Sequence, residues 1–259
     1  MINFAHYPQL GRKLFTISLL LFLLFSTKAQ KSITRQQLVW YYYNQTFLLN
    51  DKYYLQTELH ERRFIDPDVQ FQSLARTHLH RILGNGWETS VGVAVSLQNP
   101  NNPFASVKLT VPEFRPHIEF DYNQKMDYLT LDHRYRAEAR YFRNSNSANT
   151  ALEEGVDFAN YRFRYRLQAT IPLWKFSNNR ALKVKFGDEI MLNAGSRIIT
   201  NVCDQNRITG SLSMDLLANF NLELGYLNLF QQRSNGAFYD RDILLCTVSH
   251  KINLKNKSE

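Results

Sequence analysis

The chain has 259 residues, with 31 Lys and Arg against 23 Asp and Glu, for a formal net charge of +8. The basic residues are dispersed rather than gathered into one patch, which excludes the electrostatic footprint of a nucleic-acid-binding protein. Aromatic residues make up 14% of the sequence, a supply that suits the interfacial girdles of a membrane barrel.

The first segment reads as an export signal. Arg12 and Lys13 precede the apolar run Leu14–Phe25, and Ser26-Thr27-Lys28-Ala29-Gln30 follows. That is the charged, apolar and cleavage-region order of a secretory signal peptide, with the small residues Thr27 and Ala29 at the −3 and −1 positions. Cleavage after Ala29 is expected, leaving residues 30–259 as one domain. Loss of Arg12, Lys13 and Lys28 takes the net charge from +8 to about +5. The apolar run is shorter than the roughly 20 residues of a helical span. No later stretch reaches that length without charge, so a membrane-embedded mature chain has to be a closed barrel.

Eleven strands follow in order, near Leu38–Leu49, Tyr53–Phe64, Leu74–Leu83, Trp87–Leu97, Glu113–Tyr122 and Tyr128–Phe142, then Asn160–Leu173, Leu182–Asn193, Arg207–Leu217, Phe220–Phe230 and Asp242–Leu254. Gly84-Asn85-Gly86 is a hairpin turn, because Gly and Asn tolerate positive φ. Asn50-Asp51 and Asn123-Gln124-Lys125 suit tight turns. Longer polar links fall at Gln98–Thr110, Asn144–Asp157, Gly195–Asn206 and Gln231–Arg241. Short and long links alternate, as periplasmic turns and extracellular loops do in outer-membrane barrels. Bacterial single-chain barrels have even strand numbers, so 10 or 12 strands are expected, with 12 favoured. A short extra strand near Ser106–Val111 or Ser32–Gln37, or a merger of two segments, would supply the even number. Cys203 falls in a link and Cys246 in a strand, which favours two free thiols over a disulfide.

Alternation decides the fold class. In Arg134–Phe142, Arg134, Arg136, Glu138 and Arg140 alternate with Tyr135, Ala137, Ala139 and Tyr141. In Tyr161–Leu173, Arg162, Arg164 and Arg166 alternate with Tyr161, Phe163, Tyr165 and Leu167. Successive strand side chains point to opposite faces, so one face is charged and the other apolar. A polar lumen and a lipid-facing wall produce this pattern. The outward faces Val91, Val93, Val95, Leu97 and Phe114, Ile118, Phe120 are continuous and apolar. Asp188, on the apolar parity of its strand, is a misfit suited to a headgroup boundary or a bulge. The fold class expected is all-β, an antiparallel transmembrane barrel with a charged lumen.

Several segments, read together, resemble one family. They are Pro112-Glu113-Phe114-Arg115-Pro116, His133–Tyr141, Arg162-Phe163-Arg164-Tyr165 and Asp188-Glu189-Ile190, followed by Asp204-Gln205-Asn206-Arg207 and Glu223-Leu224-Gly225-Tyr226. Their order and spacing are similar to those of domain-of-unknown-function family 2490, a Bacteroidetes outer-membrane family. The resemblance covers most of the mature chain. It implies a signal peptide and an outer-membrane barrel of a Gram-negative bacterium, and no activity.

Parity assigns a lumenal charge network. Its carboxylates are Glu58, Glu113, Glu119, Glu138, Glu189 and Glu223. Its cations are Arg62, Arg115, Arg134, Arg136, Arg140, Arg162, Arg164, Arg166 and Arg207. Pairing is expected, because unpaired charge in a narrow interior is costly. Two outcomes follow: a cross-linked structural lumen, or a narrow passive pore in which the arginines favour a small anionic solute. Outer-membrane lipid and, during insertion, the barrel-assembly machinery are the expected partners, with no nucleic acid.

Three alternatives stand beside that reading: a hydrolase-like outer-membrane enzyme, a barrel binding a ligand or partner through its outer loops, and a soluble secreted β-sandwich. No catalytic residue, cofactor or metal site is assigned. The sequence lacks HExxH, CxxC, GxSxG and a Gly-rich phosphate loop. His78 and His80 share a face, but two ligands are too few for a metal site. His250 lies on an outward face, and the adjacent Ser249 points the other way.

Overall fold

The computed structural model describes residues 32–176 and 180–255. The expected cleavage point after Ala29 lies outside the described residues. Eleven strands form one sheet: β1 (Ile33–Leu48), β2 (Tyr53–Phe64), β3 (Gln70–Gly84), β4 (Trp87–Gln98), β5 (Val111–Lys125), β6 (Thr130–Ser145), β7 (Leu152–Lys175), β8 (Ala181–Ala194), β9 (Cys203–Leu217), β10 (Phe220–Gln232) and β11 (Phe238–Asn253). Each strand pairs antiparallel with its sequence neighbour, and β1 pairs parallel with β11 to close the barrel. A single closed sheet leaves no place for the two packed sheets of a β-sandwich, so that alternative does not hold. Among the described residues no helix is long and apolar enough to cross a membrane.

The expected even count, 10 or 12 with 12 favoured, is corrected to eleven. Neither candidate extra strand exists on its own. The Ser32–Gln37 segment extends β1, with Ile33 opposite Phe238 and Gln37 opposite Asp242 along the seam. Residues 106–110 belong to the β4–β5 loop, ahead of β5. The odd number is satisfied by the parallel β1–β11 seam, in which both strands start at the long-loop end and finish at the short-turn end. A parallel pair satisfies backbone N–H and C=O groups as completely as an antiparallel one, so closure does not require an even count.

Link assignments also change. Asn123-Gln124-Lys125 is the paired end of β5, with Lys125 opposite Thr130, and the turn follows it. Most of Asn144–Asp157 is strand, since Arg143 pairs with Val156 and Ser145 with Leu152, leaving only a short tip between β6 and β7. Cys203 opens β9 rather than sitting in a loop. Cys203 and Cys246 are free thiols. The β3–β4 turn is as expected, with φ of 98° at Gly84, 51° at Asn85 and 83° at Gly86.

The outer wall is apolar: Val91, Val95, Leu97, Phe114, Ile118, Phe120, Phe163, Phe186, Ile190 and Leu192 all stand exposed on it. Asp188 interrupts this wall without a bulge, opposite Leu167 and Ile208. Its Oδ1 accepts a hydrogen bond of 2.6 Å from Asn206 Nδ2.

The lumen is not uniformly charged. Leu38, Trp40, Phe64, Leu227, Leu229 and Ile243 form a buried apolar cluster, joined by Tyr42, Phe71 and Leu245. These residues come from β1, β2, β3, β10 and β11. The arc of the interior around the seam therefore holds a hydrophobic cluster, and the densest ion pairing lies on the opposite arc, β5 to β8.

Candidate functional site

The charged arc rests on strand register. Arg134 lies opposite Arg166, Arg136 opposite Arg164 and Glu138 opposite Arg162 across β6 and β7. Glu189 lies opposite Arg166 on one side and Arg207 on the other. Like charges directly opposite repel, so the arrangement stands only because carboxylates insert between the cations.

The insertions are specific. Arg164 Nη1 donates to Glu138 Oε1 at 2.9 Å, and its Nη2 donates to both oxygens of Glu189 at 2.8 and 2.9 Å. Arg134 Nη2 donates to Glu189 Oε1 at 2.5 Å, and Arg207 Nη1 lies 3.7 Å from Glu189 Oε2. Arg136 Nε donates to Glu119, and its Nη1 lies 3.6 Å from Glu138 Oε1. Arg115 Nη2 and Arg140 Nε converge on Glu113, the latter at 2.5 Å. Charge-assisted bonds of this kind are about twice as strong as neutral ones.

The peripheral members pair locally. Arg76 Nη1 donates to Glu58 Oε2 at 3.0 Å, while His60 Nε2 and His78 Nε2 lie 3.0 and 3.1 Å from the same carboxylate. Lys185 Nζ donates to Glu223 Oε2 at 2.5 Å. Each of these six carboxylates, Glu58, Glu113, Glu119, Glu138, Glu189 and Glu223, thus has a cationic partner.

Two assigned cations do not meet a carboxylate. Arg62 donates to Gln72 Oε1 at 2.6 Å and lies 4.1 Å over the Trp40 ring, with no carboxylate at ion-pair distance among the described residues. Arg166 likewise forms no ion pair among the described residues; its Nε is buried without a hydrogen-bond partner.

Two charged groups escape the sequence reading. Asp204 at the start of β9 lies 2.7 Å from Arg162 Nη2. Arg241, 1% exposed, donates to Gln36, Gln231 and Asn101 and lies 4.3 Å over Tyr239. Both fall where the sequence reads as a link; Arg241 continues the inward parity of its strand, two residues before Ile243, whereas Asp204 shares the outward parity of Asn206 and is buried only because the register shifts there, Met191 pairing with Gln205 and Leu192 with Cys203.

Two cavities lie in the lumen among the described residues. One, of about 420 Å³, lies toward the short turns and is lined by Tyr54, Glu58, His80, Glu88 and Asp121 with part of the arginine arc. The other, of about 670 Å³, lies toward the long loops and is lined by Trp40, Phe71, Asn101, Arg140 and Tyr239. Arg62, Arg115, Arg162 and Arg207 line both, so these four guanidinium groups form the division between them.

Small residues on one strand make room for this packing. The inward positions of β4 are Ser90, Gly92, Ala94 and Ser96. Gly92 lies opposite both His78 and His117. Those two histidines meet at 3.3 Å, His117 Nε2 to His78 Nδ1. On the outer wall, His250 Nδ1 lies 3.0 Å from Gln45 Oε1 and its Nε2 lies 3.2 Å from Asn219 Nδ2. Amide partners on both ring nitrogens give it no carboxylate orienter and no nucleophile.

A family model described as a protein of unknown function, DUF2490, matches residues 37–240. No curated protein matches significantly. Among solved structures, a NanC porin in a rhombohedral crystal form is similar, with a TM-score of 0.45 and 11% identity over 76% of this chain and 81% of that chain.

Proposed function

Because the chain belongs to the DUF2490 family, which brings no established activity with it, we propose from the barrel itself that it spans the outer membrane of a Gram-negative bacterium as a narrow passive pore preferring small anions. The apolar outer wall supports a lipid environment, since closed barrels are the β-structures that leave no backbone group unpaired in lipid. Export through a cleaved leader and insertion by the barrel-assembly machinery belong to the same reading.

One observation carries the functional part. Arg62, Arg115, Arg162 and Arg207 separate the two lumenal cavities, and Arg62 has no carboxylate partner among the described residues. A constriction lined by guanidinium groups, each a fixed cation with several donors, lowers the energy of an anion and raises that of a cation. The ion-paired arc behind it keeps the wall rigid, and the apolar arc around Trp40 narrows the passage from the other side.

The test is permeation. Purified barrel in liposomes should admit chloride and small carboxylates and exclude sugars of disaccharide size. Folded, inserted protein that admits no solute would remove the pore and leave the ion-paired lumen as a purely structural device.

A further inference from the structure

At the short-turn end of the lumen, away from the arginine division, side chains of β2 to β5 gather around His80. Glu88 and Asp121 are directly opposite one another across β4 and β5, a like-charge pairing that is unfavourable by itself. His80 is 4% exposed, and among the described residues neither ring nitrogen has a hydrogen-bond partner. Asp121 Oδ2 is also buried without one. One donor atom from each of His80, Glu88 and Asp121 lies within 4.8 Å of the other two.

We propose that His80, Glu88 and Asp121 form a binding site for a divalent transition-metal cation at the short-turn mouth of the barrel, with Zn²⁺ the representative ion. The donor set, one imidazole and two carboxylates, matches the N and O ligands such ions take at about 2.0–2.2 Å. Side-chain rotations of about 1 Å close the present spacing onto an ion. Three protein ligands leave further coordination positions for water or a solute from the adjoining cavity.

The surroundings fit that role. Tyr54 stacks on His80 at 4.3 Å with rings 10° apart, and its hydroxyl donates to Glu88 Oε1 at 2.8 Å. Such contacts fix the orientation of metal ligands. His80 Nδ1 stands 3.8 Å from Glu88 Oε1, too long for a hydrogen bond and open to an intervening ion. One competing cation is Arg134, opposite Asp121 across β5 and β6. Its guanidinium is drawn to Glu189 at 2.5 Å and Glu119 at 3.7 Å, and gives Asp121 no ion pair.

A second triad, His78, His80 and Glu119, has comparable spacing. Its members are already engaged: His78 with Glu58 and His117, and Glu119 with Arg136. The unpartnered atoms therefore select Glu88 and Asp121 as the companions of His80.

The site needs only the closed barrel, so its test is independent of permeation. The full mature barrel, folded in detergent and stripped with a chelator, is titrated with Zn²⁺ by calorimetry. One equivalent should bind. His80→Ala and the near-isosteric Asp121→Asn should each weaken binding by about tenfold or more, while His250→Ala on the outer wall leaves it unchanged. Folding of each variant is checked by its mobility on an unheated denaturing gel. Weakening in either folded variant supports the site. No binding to the wild type, or wild-type affinity in both folded variants, overturns it.

Discussion

Arg164 and Glu189 share a two-point contact, with Nη2 at 2.8 and 2.9 Å from the two carboxylate oxygens, while the other end of the same guanidinium holds Glu138 at 2.9 Å. One side chain therefore ties β6, β7 and β8 across the lumen. Glu138 is 3% exposed and also faces Arg136 at 3.6 Å. Glu138→Ala leaves both arginines short of compensation. Removing one partner of a buried ion pair typically costs about 3–5 kcal/mol. Urea unfolding, followed by loss of the faster-migrating folded band, should show a loss of that size. A change below about 1 kcal/mol would contradict the role given to this network.

The same contacts separate two kinds of arginine. From sequence, Arg164 looks like a selectivity residue; in the structure it is a cross-link. Arg164→Glu places a third carboxylate against Glu138 and Glu189 and should prevent recovery of folded barrel. Arg62→Gln should fold, since Arg62 is held by Gln72 and the Trp40 ring rather than by a carboxylate. Refolding yields of the two variants, compared side by side, check the distinction. Equal yields would remove it.

Gly92 is a packing device. A Cβ there would stand 2.3 Å from the Thr77 carbonyl oxygen and 2.8 Å from His117 Nε2. Backbone cannot yield as a flexible side chain can, so Gly92→Ala should destabilise the barrel by about 1–3 kcal/mol through overpacking. The urea midpoint measures it; an unchanged midpoint would show that β3 and β4 separate more easily than the register implies.

The parallel seam gives a covalent test of the strand count. Tyr41 lies opposite Cys246 across β1 and β11, and adjacent strands run about 4.8 Å apart, within disulfide range. In a Cys203→Ser background, Tyr41→Cys should form a disulfide on mild oxidation, visible as altered mobility without reductant. A twelfth strand between β1 and β11 would keep the sulfurs apart and no cross-link would form.

Much of the site is legible from alternation alone. On β5 to β8 the charged parity is strong despite Asp188, so Glu113, Glu119, Arg136, Glu138, Arg164 and Glu189 all fall inward as their sequence positions require. Alternation fails where both faces are apolar. On β1, Leu38, Trp40 and Tyr42 are inward while Val39, Tyr41 and Tyr43 are outward, and no polarity contrast distinguishes the two sets. The hydrophobic arc was hidden for that reason. Arg241 and Asp204 were hidden differently, at strand ends among polar residues that read as loop. The eleven strands are themselves countable from the sequence; the expectation of an even number displaces that count, because a parallel closure is a relation between chain ends and leaves no local pattern. The His80 group needed the register of β3, β4 and β5 to bring Glu88 and Asp121 beside it; the pair His78 and His80 alone suggested too few ligands.

If the four arginines between the cavities govern ion passage, the reversal potential across a planar bilayer reports it. Under a KCl gradient, wild-type protein should give small conductance steps whose reversal potential has the sign of chloride preference. Arg62→Glu places a carboxylate at the division between the two cavities and should weaken or reverse that preference while leaving the folded mobility unchanged. Steps that prefer potassium in the wild type, or a preference untouched by Arg62→Glu, would contradict the account.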